Sequence, residues 1–382
     1  MENCNKEIRV LFISDLTGWG GSTRSLVNMI ASLPSNISPM VLLSGKGEVY
    51  ECLTDMGIEC IVFRYVHDIV FLSWYPRSII RNFVHLVKYL FLNRICVYWV
   101  SKKLKGKIDI VHSNTSAVPI GNAIASKIGA KHIWHIREFI DMFSNCRIIG
   151  GRDFLKQEIQ SADSVICISS ALVSHWELDK KRNVFVLWNA VRHKTDVIYN
   201  KVKGNYFLFC CGYLNDFKGA DFATRVFCKS SLFTIFKLRF VGAYDEKYKT
   251  KLLAIAKEYD AESSLEFLGF QDETTIKGLM ANASAFLQCS MIEGLGRTVI
   301  EAMFYGCPVI ARNNGGTVDF VSDGINGLLF NTEEECIEKM KLVVSNDVGP
   351  IIQKAQETAR NGFAIEDYGM KLERIYQDVL RS

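Results

Sequence analysis

Proline is scarce in this chain, at 6 of 382 residues. With no Gly/Ser-rich run either, nothing marks a flexible linker or a low-complexity tail. No motif recurs at solenoid spacing. The 12 cysteines form no Cys-x-x-Cys pair and no Cys/His grouping at zinc spacing. Several, among them Cys167, Cys210, Cys211 and Cys289, sit inside apolar runs and read as small buried hydrophobes of a reducing compartment. The opening residues, MENCNKEIRVLFIS, lack the basic start and apolar stretch of a signal peptide, so the expected location is cytoplasmic. From Trp74 to Lys107 acids are missing altogether, against Arg77, Arg81, Lys88, Arg94, Lys102, Lys103, Lys105 and Lys107.

What is present is globular. Hydrophobic residues make up 49% and charged residues 23%, and the formal charge is +4. The length exceeds one ordinary core, so two domains are expected. Short apolar runs alternate with helical stretches: Val10–Ser14, Met40–Leu43, Cys60–Phe63, Asp109–His112, His132–His135, Val165–Ser169 and Val184–Trp188. The pattern then restarts at Tyr206–Cys211 and continues through Leu238–Val241, Leu265–Leu268, Ala285–Gln288, Val309–Ala311 and Leu328–Phe330. Such runs predict two doubly wound α/β domains with buried parallel sheets, and a ligand expected between them. The polar stretch RHKTDVIYNKVKGN carries no strong pattern and marks the boundary. The expected domains are residues 1–191 and 192–364, with a last helix over 365–382 crossing back to the first.

One stretch combines acids and glycines: EGLGRTVIEAMFYGCPVI, Glu293 to Ile310. A strand before it and a helix from about Arg297 to Tyr305 place Glu293 on a strand-to-helix loop. Glu301 then lies about one turn into the helix. Gly294 and Gly296 let backbone N–H groups approach a ligand, and the helix N-terminus suits a phosphate. Carboxylates can accept hydrogen bonds from sugar hydroxyls. Together these fit a sugar nucleotide. The plainer reading makes Glu293 a helix cap and Glu301 a solvated residue. The apolar neighbours Ile300, Ala302 and Met303 speak against that for Glu301.

The ordered set Glu-x7-Glu with Gly-x-Gly, then EAM, G-x-P-V-I-A and GG, resembles the retaining GT-B glycosyltransferases of family 4. GWGGSTR (Gly18–Arg24), CIS (Cys167–Ser169), WNAV (Trp188–Val191), LEFLGF (Leu265–Phe270) and DGINGLLF (Asp323–Phe330) extend the resemblance over nearly the full chain. It implies two Rossmann-like domains facing a central cleft. It implies a donor site in which Glu293 binds sugar hydroxyls and Glu301 the ribose. The amides of Gly294, Leu295 and Gly296 would contact sugar and phosphates, and Lys218 would neutralise the diphosphate. Gly20 and Gly21 would approach the same phosphates, and His135 would face the donor sugar. The implied reaction retains anomeric configuration, uses no metal or other cofactor, and moves a sugar from a nucleotide diphosphate sugar, UDP first among them. The acceptor would be a glycan or lipid-linked molecule in bacterial polysaccharide synthesis. No Asp-x-Asp is present to hold a divalent cation.

The chain departs from the family at Gly212–Tyr213–Leu214, where Gly-Arg-Leu is usual; Arg297 is the expected substitute, or else a solvated first-turn residue. Two alternatives stand beside transferase: a GT-B-type sugar-nucleotide epimerase and a non-catalytic sugar-nucleotide binder. A Rossmann dehydrogenase fits poorly, because GWGGST lacks the third glycine and no acid ends the second strand. Residues 74–107 read as a long amphipathic helix, either packed on its own domain or resting peripherally on an anionic inner membrane face. Its charges argue against a membrane crossing, and no nucleic-acid module is present.

Overall fold

The computed structural model describes residues 7–14, 17–71, 76–142 and 146–382. Contacts divide the chain into two units, Met1–Ala190 with Ile365–Ser382, and Val191–Ala364. The division falls one residue before the boundary read from the sequence.

In chain order the first unit contains β1 (Ile8–Ser14), α1 (Gly21–Ala31), β2 (Ile37–Leu43), α2 (Glu48–Asp55), β3 (Glu59–Val62), β4 (Ile69–Phe71) and α3 (Pro76–Leu104). It continues with β5 (Ile110–Ser113), α4 (Gly121–Ile128), β6 (Lys131–Ile136), β7 (Cys146–Ile148), α5 (Gly151–Ser161), β8 (Ser164–Cys167), α6 (Ser170–His175) and β9 (Val184–Val186). The second unit starts with β10 (Tyr206–Tyr213), α7 (Ala220–Lys229), β11 (Lys237–Ala243), α8 (Glu246–Lys257), β12 (Leu265–Gly269) and α9 (Glu273–Asn282). It ends with β13 (Ala285–Gln288), α10 (Arg297–Phe304), β14 (Val309–Arg312), β15 (Leu328–Phe330), α11 (Glu333–Ser345) and α12 (Gly349–Gly362), after which α13 (Ile365–Arg381) belongs to the first unit.

Each unit is a parallel sheet with helical crossovers. The first has order β3-β2-β1-β5-β6-β8-β9 and the second β12-β11-β10-β13-β14-β15. Both strand orders reverse direction once, between β1 and β5 and between β10 and β13. At such a switch the loops leave to opposite sides and open a crevice at the strand carboxyl ends. The central strands VLFIS and YFLFC are apolar on both faces because helices cover both.

Helix α13 shows how the first unit closes. Tyr368, Leu372, Ile375, Tyr376 and Val379 recur at helical spacing and pack with Phe12, Leu26, Met29 and Ile30 in one core. At Gly369 the helix comes so close to the end of α1 that an added Cβ would lie 1.7 Å from the carbonyl oxygen of Ser32.

Two features were not legible. A short antiparallel ribbon pairs β4 with β7, Ile69 opposite Ile148; strands of three residues carry too little periodicity to read. The second concerns α3. Ile80–Leu104 is long and apolar enough to cross a membrane by length and composition, with mean hydropathy 1.2. By length and composition alone, the charges of this helix do not rule out a crossing. Trp74 and Tyr75 of the basic stretch lie outside the described residues.

Substituting Gly369→Ala should cost about 1–3 kcal/mol by overpacking the α1–α13 contact. Urea unfolding measures it, and a variant as stable as the parent would show that the two helices can part freely.

Candidate functional site

The second unit gathers the expected donor residues at its switch point. A cavity of about 110 Å³ is lined by Cys211 and Gly212 of β10, Gln288 of β13, and Lys218, Glu293, Arg297 and Thr298. A larger cavity of about 710 Å³ is lined by Lys201, Asn205 and Ser284, next to where β10 and β13 begin. The carboxyl ends of the strands lead to the smaller one, and residues expected from the sequence line it.

Local structure explains the arrangement. In the turn after β10, the backbone N–H of Lys218 donates to Asn215 Oδ1 at 2.8 Å and that of Gly219 to the Asp216 carbonyl at 3.0 Å. This aims Lys218 at the loop after β13. There its Nζ donates to both carboxylate oxygens of Glu293, at 2.9 and 2.8 Å. The loop is pinned from both sides. Met291 N–H donates to the Phe217 carbonyl at 2.9 Å, and Gly316 N–H donates to the Glu293 carbonyl at 2.8 Å. Gly296 then caps α10 at φ +92°, a left-handed conformation that disfavours a side chain. Gly294, Leu295 and Gly296 thus lead into the helix N-terminus, with the Leu295 side chain buried.

Glu301 is buried, at 7% exposure, and is not the solvated residue of the plainer reading. Its Oε1 accepts from Arg297 Nε at 3.2 Å and from Arg192 Nη2 at 3.2 Å. Among the described residues both contacts go to Oε1 and none to Oε2. Arg192 also pairs with Glu273 and stacks its guanidinium 5.6 Å from the Tyr305 ring. Tyr213, in the place of the usual arginine, donates to Asp245 Oδ2 at 3.1 Å. Arg297 lines the cavity with Lys218, and its first-turn side chain is only 19% exposed, so it is not a solvated residue either.

Sequence reasoning missed two residues here. Arg192 lies in the patternless polar stretch, and only its contact with Glu301 reveals it. Gln288 ends a strand; it is 4% exposed, and neither amide atom has a partner among the described residues.

Gly20, Gly21 and His135 belong to the first unit. Gly20 caps α1 and Gly21 begins it, just beyond β1. His135 is the penultimate residue of β6 and is fully buried, as are His112 and His132. Burial holds all three histidines neutral, pushing His132 down to about 3 and the other two well below the usual value of 6.5. Arg137 is also buried, donating from Nε to Asn114 Oδ1 at 3.0 Å and from Nη1 to Asn189 Oδ1.

Residues 191–363 match the model of the family described as Glycosyl transferases group 1. The match spans nearly the whole second unit. An uncharacterized glycosyltransferase of Methanocaldococcus jannaschii is 25% identical over 314 residues, covering 80% of this chain and 86% of that protein. A second uncharacterized glycosyltransferase, from Haemophilus influenzae, is 26% identical over 289 residues, covering 71% and 77%. Among solved structures, Anabaena HepE with UDP-glucose superimposes with TM-score 0.76 at 18% identity, covering 97% of this chain and all of that one. The lipopolysaccharide outer core galactosyltransferase WaaB gives 0.74 at 19%, covering 97% and 99%. The fold is GT-B, two Rossmann-like α/β domains, and the enzyme class is glycosyltransferase.

Two outcomes follow from these contacts. Arg192→Met leaves the buried Glu301 carboxylate one cation short and should cost about 2–3 kcal/mol in denaturant unfolding. The buried histidines set a pH dependence. Their folded pKa values lie below that of the unfolded chain, so the unfolded chain binds more protons in acid. Their contribution is intact above about pH 6.5 and is lost as pH falls below it, by up to about 1.4 kcal/mol per histidine per pH unit. Urea unfolding at pH 7.5 and 5.5 should show the loss, and equal stability at both would contradict it.

Proposed function

We propose that the chain transfers a sugar from a nucleotide diphosphate sugar to a glycan or lipid-linked acceptor, with retention of anomeric configuration and without a metal. The carrying observation is the convergence of Lys218, Glu293, Arg297 and Gly212 on one cavity at the β10/β13 switch, beside a glycine-flanked helix N-terminus. UDP is the proposed nucleotide, because HepE is solved with UDP and UDP-glucose.

The roles follow from the contacts. Paired as they are, Lys218 and Glu293 neutralise each other. A donor separates their tasks: Lys218 turns to the diphosphate, and Glu293 accepts from sugar hydroxyls. The amides of Gly294, Leu295 and Gly296 and the α10 N-terminus add positive potential at the phosphates. Glu301 presents Oε2 to the ribose while its two arginines hold Oε1. Arg297 supplies the second cation that Tyr213 does not. Gly20, Gly21 and His135 are the proposed donor contacts of the first unit. Catalysis is then positioning plus stabilisation of the leaving diphosphate, whose oxygen takes the acceptor's proton on the same face.

Thermal stabilisation across a panel of nucleotide sugars identifies the donor, and release of nucleotide diphosphate measures turnover. Lys218→Met and Glu293→Gln should each slow turnover by about 100-fold. Interconversion of the bound sugar instead of its release would make the protein an epimerase. Binding with no turnover, even with acceptors supplied, would make it a binder.

We assign α3 to the membrane surface. Its C-terminal half is anchored, with Cys96, Val97, Val100 and Leu104 buried in the core. Its outer face is apolar: Ile80 and Phe83 are 66% exposed, Phe91 63% and Trp99 53%. Arg81, Lys88, Arg94 and the lysines at 102, 103, 105 and 107 supply the charge that anionic lipid attracts. With one face of its second half packed into the core and the other exposed, the helix is proposed to rest on a bilayer rather than cross it. The location proposed with this assignment is the inner face of the plasma membrane. Co-sedimentation with anionic vesicles should be strong at low salt, weaken in high salt, and fall on Phe83→Ala with Phe91→Ala. No sedimentation at low salt would remove the assignment.

A further inference from the structure

In the first unit, β5, β6 and α13 enclose a file of polar side chains. Tyr376 Oη lies 2.8 Å from His112 Nδ1, and His112 Nε2 lies 3.0 Å from His135 Nδ1. Arg137 Nη2 approaches that same His135 Nδ1 at 3.3 Å. Tyr376, His112 and His135 are fully buried, and Arg137 is 6% exposed.

Two neutral imidazoles between a hydroxyl and a ligand can order their hydrogens in either direction. Arg137 removes the choice. A guanidinium only donates, so His135 Nδ1 carries its lone pair, which the hydrogens of His112 (3.0 Å) and Arg137 (3.3 Å) share in a three-centre contact. His112 then bears its hydrogen on Nε2 and accepts at Nδ1 from the Tyr376 hydroxyl. His135 is left with its hydrogen on Nε2, and among the described residues that buried atom has no hydrogen-bond partner. An unmade buried N–H is costly and uncommon. His135 is also at the carboxyl end of β6, where doubly wound sheets receive ligands.

We infer that Tyr376, His112 and Arg137 fix His135 as a hydrogen-bond donor at Nε2 toward an oxygen of the nucleotide sugar, with Tyr376 and His112 as positioning residues. The identity of the ligand rests on the transferase reading; the hydrogen order does not. His135 is thereby excluded as a general base, since its accepting nitrogen is occupied. The charged and titratable groups around the pair favour the neutral state. Arg137 stands beside both rings, His132 acts on His112, and α13 contributes the hydroxyls of Tyr368 and Tyr376. The single charged residue of α1 is Arg24. No carboxylate makes a hydrogen bond or ion pair to either ring among the described residues.

The test is long-range nitrogen NMR of the full chain with labelled histidine. Residues 112 and 135 should both appear as neutral Nε2–H tautomers, unchanged from pH 8 to pH 6. A His135 with its hydrogen on Nδ1, or one titrating near 6.5, overturns the inference. UDP-glucose should shift the His135 Nε2 resonance. If UDP alone does the same, the acceptor is a phosphate oxygen; if only UDP-glucose does, it is a sugar oxygen; if neither does, the ligand assignment is wrong. Tyr376→Phe should blur the His112 tautomer and lower kcat by roughly tenfold to a hundredfold, with donor KM within about twofold and thermal unfolding lowered by no more than the loss of one buried hydrogen bond. Unchanged tautomers and kcat would refute the positioning role. A wild type with the expected tautomers but no transfer would overturn the function and the ligand, leaving the hydrogen order standing.

Discussion

The Lys218–Glu293 ion pair is the contact around which the second unit's site is built. It joins the turn after β10 to the loop after β13, the two segments that part at the switch point. The pair is partly solvent-accessible, so its own contribution to stability is modest. Its value is positional. It keeps an ammonium and a carboxylate in a small cavity where each has a different partner to take up. The backbone around it is over-determined by Asn215, Phe217 and the segment at Gly315–Gly316, so ligand exchange at the side chains does not require the loop to refold.

A second constraint operates at Glu301. A buried carboxylate is expensive unless it is paired, and here two guanidiniums share one of its oxygens. Both arginines approach the same side, which leaves the carboxylate oriented and half free. Arg297 thereby has two neighbours of opposite demand, Glu301 within its own helix and the cavity shared with Lys218. That bears on the position where the chain has Tyr213 in place of an arginine. Tyr213 turns to Asp245 and adds no charge to the cavity, so the cations that line it are those of Lys218 and Arg297.

Much of the fold was legible because parallel strands buried on both faces announce themselves as apolar runs. Each run read from the sequence overlaps an observed strand, from Val10–Ser14 to Leu328–Phe330. The Glu293–Glu301 stretch was legible for a different reason: acids and glycines are out of place in an apolar context. What stayed hidden were residues whose role is created by contact. Arg192 precedes Glu301 by more than a hundred positions, and the ribbon β4–β7 joins two three-residue segments nearly eighty apart. The role of His112 stayed hidden as well, because nothing in IVHSN says that a tyrosine of the last helix will reach it. The amphipathic face of α3 was visible, but hydropathy alone could not say which half is anchored in the core.

The two units solve one electrostatic problem in opposite ways. In the second, charges are kept, paired and partly accessible, so that a charged ligand can replace one partner with another. In the first, the charge of Arg137 is sealed among amides and imidazoles, and it acts by direction. A fixed donor at His135 Nδ1 propagates through His112 to Tyr376 and leaves one hydrogen pointing onward. Such order holds only if the core does not admit water to offer the rings other partners, and here α13 supplies the seal. The same helix carries Tyr376 and, at Gly369, the close approach to α1 that presses it onto the sheet. Packing and hydrogen order in the first unit are therefore one property of the last helix.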